Sequence, residues 1–211
     1  MKKRVAVVGA TGIAGQQCLA ALDRHPWFDV VMVAASERSA GKSYASAIRD
    51  AKTGARRWWC AEEPPATVLD LPVAHAAQLN LAGIDVVFTA IESDAARELE
   101  PLYAKTTAVL SMASAFRYED DVPIMVPGVN FLHAAQIDAQ RRVRGWRGFI
   151  APLPNCTTMG LVITIKPLLD RFGIERVLMT SMQGISGAGR SPGVVALDIL
   201  DNIIPYIPGE E

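Results

Sequence analysis

The stretch VAVVGATGIAGQ, Val5 to Gln16, decides the fold of this 211-residue chain. Val5–Val8 is a short apolar run that ends at Gly9, the pattern of a strand buried in a parallel sheet. Ala14–Leu22 follows with helical spacing, placing Cys18, Leu19 and Leu22 on one face. Glycines at 9, 12 and 15 let the backbone between strand and helix turn tightly and approach a pyrophosphate. The N–H groups opening the helix then face that anion. The spacing is G-x-x-G-x-x-G rather than G-x-G-x-x-G, so the glycines alone leave open a plain tight turn. The strand–turn–helix position gives the motif its weight as a nucleotide loop.

Working outward, strands are expected at Phe28–Ala34, at Val86–Ala90 with Ile84 leading in, and at Ala108–Ser111. A helix is expected over Glu92–Ala104. Strand and helix in alternation imply βαβ units and a doubly wound parallel sheet. Ala51–Pro72 is rich in charge, Trp and Pro, and is expected to be an insert or connecting loop. The texture changes around Phe149–Pro154. A helix is expected at Met159–Leu169 and a strand at Val177–Met182, which runs into a Gly-rich segment. The boundary is placed near Ala151. An α/β nucleotide-binding domain is expected over residues 1–150, with a second domain beginning over 151–211. Ile199, Ile203 and Ile204 build an apolar face with no visible partner, and exposed apolar surface usually has one.

Net charge is −1, so no global field favours nucleic acid or membrane. The runs Lys2-Lys3-Arg4 and Arg141-Arg142-Val143-Arg144 read as solvated ends of elements. No stretch reaches the roughly 18–20 uninterrupted apolar residues of a membrane span. Cys18, Cys60 and Cys156 are odd in number and widely spaced. They give no zinc spacing and no disulfide framework, which fits a reducing cytoplasm.

The second strand runs into AASERSAGK, Ala34–Lys42. An NAD site usually places an acid here for the ribose hydroxyls. Ser36, Arg38 and Ser39 cluster instead, and Arg offers a planar fork for the oxygens of a 2′-phosphate. This favours NADP, provided that Glu37 points away.

The second informative stretch is PNCTTMG, Pro154–Gly160. Cys156 sits where a helix should begin, with Asn155, Thr157 and Thr158 as capping candidates. A helix N-terminus favours the thiolate, which is the nucleophile, and its N–H groups can hold a developing oxyanion. Cys18 lies inside an amphipathic helix and is expected in the core. Cys60 has no visible activator. A cysteine nucleophile beside a nicotinamide site fits one chemistry, an acyl thioester reduced to an aldehyde. That chemistry needs a proton-transfer partner, usually histidine. His25 precedes a proline at a helix end, and His75 and His133 stand in helix-like segments, so none is expected in the site.

Taken together these stretches resemble the aspartate-semialdehyde dehydrogenases of the archaeal and fungal type, through nearly the whole chain. VVGATGIAGQ (7–16) is similar to the family's nucleotide loop, and AASERSAGK to its NADP-selecting turn. SAFRYEDDVPIMVPGVN (114–130) resembles the segment carrying its phosphate-binding arginine. PNCTTMGLVITIKPL (154–168) resembles its catalytic cysteine motif. QGISGAGRSPGVVALDILDNIIPYIPGEE (183–211) resembles its segment with the active-site glutamine and a Ser-Gly pair near the nicotinamide.

The resemblance implies a Rossmann-like sheet followed by the start of an α+β catalytic and dimerisation domain. It implies NADPH-dependent reduction of L-aspartyl-4-phosphate to L-aspartate 4-semialdehyde with release of phosphate, in lysine, methionine and threonine biosynthesis. Cys156 would be the thioester nucleophile and Gln183 would orient the acyl group. Arg117, Asn155 and Glu210 (or Glu211) would bind substrate. Gly9, Thr11, Gly12, Ile13 and Ala14 would line the cofactor phosphates, Ser36, Arg38 and Ser39 the adenosine end, and Ser186 and Gly187 the nicotinamide. A homodimer or tetramer is implied, without metal, nucleic acid or membrane. Met112 departs from the family's asparagine. The family's catalytic histidine and second substrate arginine would lie beyond Glu211, so this chain alone is expected to be inactive. Two other readings stay open: a related acyl-CoA reductase of the malonyl-CoA reductase type, and a truncated non-catalytic nucleotide-binding protein.

Overall fold

Apolar strands flanked by helices settle here into one parallel sheet. The computed structural model describes residues 1–184 and 200–204. In chain order the elements are β1 (Lys3–Val8), α1 (Ile13–Leu22), β2 (Phe28–Ala35), α2 (Tyr44–Ala47), α3 (Ala66–Leu69), β3 (Val73–His75), β4 (Val86–Thr89), α4 (Ser93–Ala104), β5 (Ala108–Ser111), α5 (Gln136–Arg144), β6 (Phe149–Pro152) and α6 (Cys156–Phe172). The strand order is β3-β2-β1-β4-β5-β6, with every pairing parallel. This is the doubly wound order of dinucleotide-binding domains. The direction of winding reverses between β1 and β4, and ligands of such sheets bind beyond the carboxyl ends of the strands at that point.

The continuous apolar run of β1 follows from burial on both faces. Val5 and Val7 join Cys18, Leu19 and Leu22 on one side. Ala6 and Val8 join Ala96, Tyr103 and Ala104 on the other. The sheet's outer edge is closed by a side chain: fully buried Gln140 of α5 accepts from Ile150 N–H at 2.7 Å and donates to Ile150 C=O at 2.9 Å. Such capping satisfies edge groups that would otherwise be open. Arg144, expected to be a solvated cation, instead grips Asp121 with Nε and Nη2, each at 2.5 Å. It ties α5 to the loop after β5.

The chain divides into a compact unit, Met1–Glu175, and a second unit, Arg176–Glu211. Ala151, where the sequence texture changes, lies in β6 paired with Leu110. Three expectations need correction. Val73–His75 forms an edge strand, β3, that its three residues were too few to reveal. His75 therefore ends a strand, and its Nδ1 accepts from Ala77 N–H. His133 lies in a 3₁₀ turn, Phe131–Ala135, not in a regular helix. The apolar run 177–182 has no paired neighbour among the described residues and is not a strand. A strand is defined by a partner's hydrogen bonds, which composition alone does not supply. Ile199 lies outside the described residues. Of that apolar face, Ile203 and Ile204 are exposed.

Candidate functional site

The nucleotide loop follows β1. Gly9 adopts φ +81°, and a Cβ there would stand 2.1 Å from Ala90 O. Its N–H and that of Ala10 both donate to Ala34 O, at 2.8 and 3.1 Å, which ties the loop to β2. Gly12 is the N-cap of α1, and no side chain caps the helix. A Cβ on Gly15 would lie 2.2 Å from Gly9 O, so α1 approaches the strand end as closely as backbone allows. Thr11 and Ile13 are half-buried, and Gly12 and Ala14 are exposed. A bare helix N-terminus, opened by a side-chain-free turn at the carboxyl end of the central strand, fits a dinucleotide's pyrophosphate.

The loop after β2 lies beside it, since β1 and β2 pair. Ser36, Glu37 and Arg38 are exposed, and Ser39 is buried beneath them. The turn is closed by Ser39 N–H to Ser36 O at 2.9 Å. Lys42 Nζ donates to Arg38 O at 2.9 Å, adding a second cation to the turn.

At the other half of the sheet, β6 ends at Pro152 and α6 begins at Cys156. Asn155 is the N-cap: its Oδ1 accepts from Thr157 N–H at 2.8 Å and from Thr158 N–H at 3.4 Å. Cys156 is exposed, in the helix's first turn. Cys18 is the opposite case, a thiol in the core that burial pushes up to about 12. Cys60 is half-buried, and burial first, then Glu62, raises its pKa too. Arg117 lies against the Cys156 entry. Its Nε donates to Leu153 O at 2.9 Å and its Nη2 to Met112 O at 3.3 Å. A guanidinium has five N–H donors in a rigid fork. Two carbonyl bonds fix its plane while leaving donors for an oxyanion.

Gln183 belongs to the second unit; its Oε1 is buried and has no partner among the described residues. Ser186, Gly187 and Glu210 lie outside the described residues. The histidines are engaged locally. His25 stacks on Phe28 with ring centroids 4.9 Å apart, and His133 Nδ1 meets Asn130 Nδ2 at 3.2 Å.

The structure thus brings Gly9–Ala14 and Ser36–Ser39 together after β1 and β2, and Arg117 and Cys156 together after β5 and β6. Sequence reasoning missed the residues that brace these loops. Gln16, fully buried, donates to Thr11 O at 3.2 Å and to Arg57 O at 2.7 Å, and accepts from Trp59 N–H at 2.8 Å. It docks the Trp-bearing loop onto the nucleotide loop. Tyr44 Oη donates to Ala10 O at 2.7 Å. Gln16 had a signal, a polar residue one turn from Leu19 on a helix face that packs inward. Tyr44 had none.

A doubly wound sheet with a glycine cradle at its switch point defines a dinucleotide-binding α/β protein, and the exposed helix-opening cysteine adds a nucleophile to that class. Comparison with known proteins narrows it. The family model described as "Semialdehyde dehydrogenase, NAD binding domain" matches residues 4–137, and "Semialdehyde dehydrogenase, dimerisation domain" matches residues 165–211. The chain belongs to the semialdehyde dehydrogenase family. It is 42% identical over 207 residues to the aspartate-semialdehyde dehydrogenase of Methanothermobacter thermautotrophicus, covering 98% of this chain and 57% of that protein. It is 40% identical over 217 residues to the Saccharomyces cerevisiae enzyme, covering 100% of this chain and 57% of that protein. The crystal structure of Candida albicans aspartate-semialdehyde dehydrogenase with NADP superposes with TM-score 0.79 at 36% identity, over 100% of this chain and 57% of that one. The chain therefore spans less than two thirds of these relatives. No helix among the described residues is long and apolar enough to cross a membrane.

Proposed function

We propose that the protein carrying this chain reduces L-aspartyl-4-phosphate to L-aspartate 4-semialdehyde and releases phosphate, in the cytoplasmic synthesis of lysine, methionine and threonine. The observation that carries this reading is the placement of Cys156: exposed, opening a capped helix, on the sheet end that also bears the nucleotide loop. The Cys156 thiolate attacks the acyl carbon, the bond to the phosphate oxygen breaks, and the acyl group is held as a thioester. The Cys156 backbone N–H stabilises the oxyanion that forms on the way, the N–H groups of Thr157 and Thr158 being held by the Asn155 side chain. Arg117 binds the phosphoryl group through the N–H donors that face away from Leu153 and Met112. Asn155 holds the helix start in place beside the substrate, and Gln183 and Glu210 orient the acyl chain.

Gly9, Thr11, Gly12, Ile13 and Ala14 hold the pyrophosphate of NADPH, Ser36, Arg38 and Ser39 its adenosine end, and Ser186 and Gly187 its nicotinamide end. The NADP-bound Candida relative supports that choice of cofactor. NADPH, when bound, supplies the hydride that turns the thioester into the aldehyde. Residues 1–150 serve as the cofactor domain, and 151–211 begin the catalytic and dimerisation domain of a homodimer or tetramer; the two family matches fall either side of that division.

The test is the reverse reaction in the native protein. Oxidation of aspartate semialdehyde should require inorganic phosphate and should not proceed with coenzyme A in its place. Dependence on coenzyme A would instead assign an acyl-CoA reductase.

A further inference from the structure

One stripe of α4 has no part in the chemistry proposed above, yet it reaches the Arg117-bearing loop and the strand end that leads into it. Ser93, Arg97 and Glu100 are spaced i, i+4, i+7 on α4, so they share one face. Ser93 Oγ meets Ser114 Oγ at 2.7 Å. Arg97 Nη2 donates to Ala115 O at 2.8 Å. Glu100 is fully buried and its Oε1 accepts from the hydroxyls of Thr89 and Ser111. Its Oε2 is buried without a partner among the described residues. A carboxyl placed so is costly, since a polar group lacking a hydrogen bond loses its hydration with nothing in return. Burial raises its pKa and the two hydroxyl bonds oppose that.

The two hydroxyls belong to the last residues of β4 and β5, which face each other in register. Each strand end in turn holds one of the two residues that hold Arg117. Met112 N–H donates to Thr89 O at 2.9 Å, and Leu153 N–H donates to Ser111 O at 2.7 Å. Met112 O and Leu153 O are the two acceptors that fix the Arg117 guanidinium. Ser111 Oγ also accepts from Ala113 N–H at 3.1 Å. Leu153 lies three residues before Cys156. Thus one buried carboxylate side chain pins two strand ends, and these two ends set both supports of Arg117.

We infer that Glu100, through Thr89 and Ser111, is a positioning residue that sets the orientation of the Arg117 fork and so determines affinity for the phosphoryl group. The inference rests on Arg117 as the phosphoryl-binding residue of the function proposed above. Side chains that bind an oxyanion must be held to within a fraction of an ångström, and small misplacements cost roughly ten- to a hundredfold.

The experiment measures the reverse reaction in the full native polypeptide, with inorganic phosphate and NADP varied separately. The double variant Thr89→Val, Ser111→Ala removes both hydroxyls and leaves the Glu100 backbone alone. It should raise KM for phosphate about tenfold or more and leave KM for NADP within about twofold, a split that general loosening would not produce. Glu100→Ala should show the same split, and Glu100→Gln, which keeps the acceptor oxygen, should recover most of the loss. An unchanged phosphate KM in the double variant overturns the inference, as does an equal rise in both KM values. Arg117→Lys is the control. If it leaves phosphate KM unchanged, the site reading and this inference fall together. If it raises phosphate KM and the hydroxyl variants do not, the inference alone falls.

Discussion

The proposed chemistry rests on a single sulfur, and the other two cysteines show why. Cys18 is buried, with its thiol pushed up to about 12 by loss of solvent, and Cys60 sits half-buried against an acidic neighbour. Only Cys156 is both exposed and at a helix start. Peptide-resolved alkylation with iodoacetamide should label Cys156 first and Cys18 only on unfolding. In the native protein, Cys156→Ser should abolish acyl transfer and change NADPH affinity less than about twofold. Equal loss of both would remove Cys156 from its role. Glycine is decisive at one further position. A Cβ at Gly15 would sit 2.2 Å from Gly9 O and 2.7 Å from Gly9 C, both backbone atoms. Gly15→Ala should therefore destabilise the chain by about 1–3 kcal/mol, as overpacking does, and abolish NADPH binding. Thermal unfolding and fluorescence titration check the two effects.

Elements hold these residues through side-chain clasps that are easy to overlook. Asn155→Ala removes the cap of α6 and should cost about 1 kcal/mol, read by chemical denaturation. The Arg144–Asp121 clasp joins α5 to the loop that carries Arg117. Arg144 holds the Asp121 carboxyl below its usual range, first by its hydrogen bonds and then by its charge. A lowered folded pKa gives stability that is present above the unfolded value, about 4, and lost as pH falls through the folded one. Asp121→Asn should thus cost about 1–3 kcal/mol at neutral pH, and the gap to wild type should close below about pH 4. At Glu100 the sign is opposite, because burial raises its pKa. The Glu100 contribution to stability is then fully present below the unfolded value and is lost as pH rises through the folded one. Glu100→Gln should therefore gain on wild type with rising pH, and denaturation curves across the range read that trend.

At the scale of the whole molecule, local signals gave four of the six strands, and β3 and β6 were not expected. β5 was legible to the residue, and β1, β2, β4, α1 and α4 nearly so, because strands buried on both faces are uninterrupted apolar runs and helices keep a 3.6-residue period. The nucleotide loop and Cys156 were legible because glycine geometry and a polar helix start leave marks within a few residues. β3 was missed because three residues carry too little pattern, and it exists by pairing with Val33–Ala35. The clasps of Gln16, Gln140, Arg144 and Glu100 were missed for a related reason. Each joins parts of the chain brought together only by folding, such as Gln16 with Arg57 and Trp59. Polar residues on inward helix faces were the one available hint. The run 177–182 shows the converse, an apolar segment whose composition alone promised a strand.

Cys156 is proposed to carry the acyl group. The most direct measurement incubates the native protein with L-aspartyl-4-phosphate in the absence of NADPH, quenches in acid, and maps adducts by peptide mass spectrometry. An aspartyl adduct should appear on the Cys156 peptide and be lost when NADPH is added before the quench. An adduct on Cys60, or turnover with no adduct at Cys156 under single-turnover quench, would contradict that role.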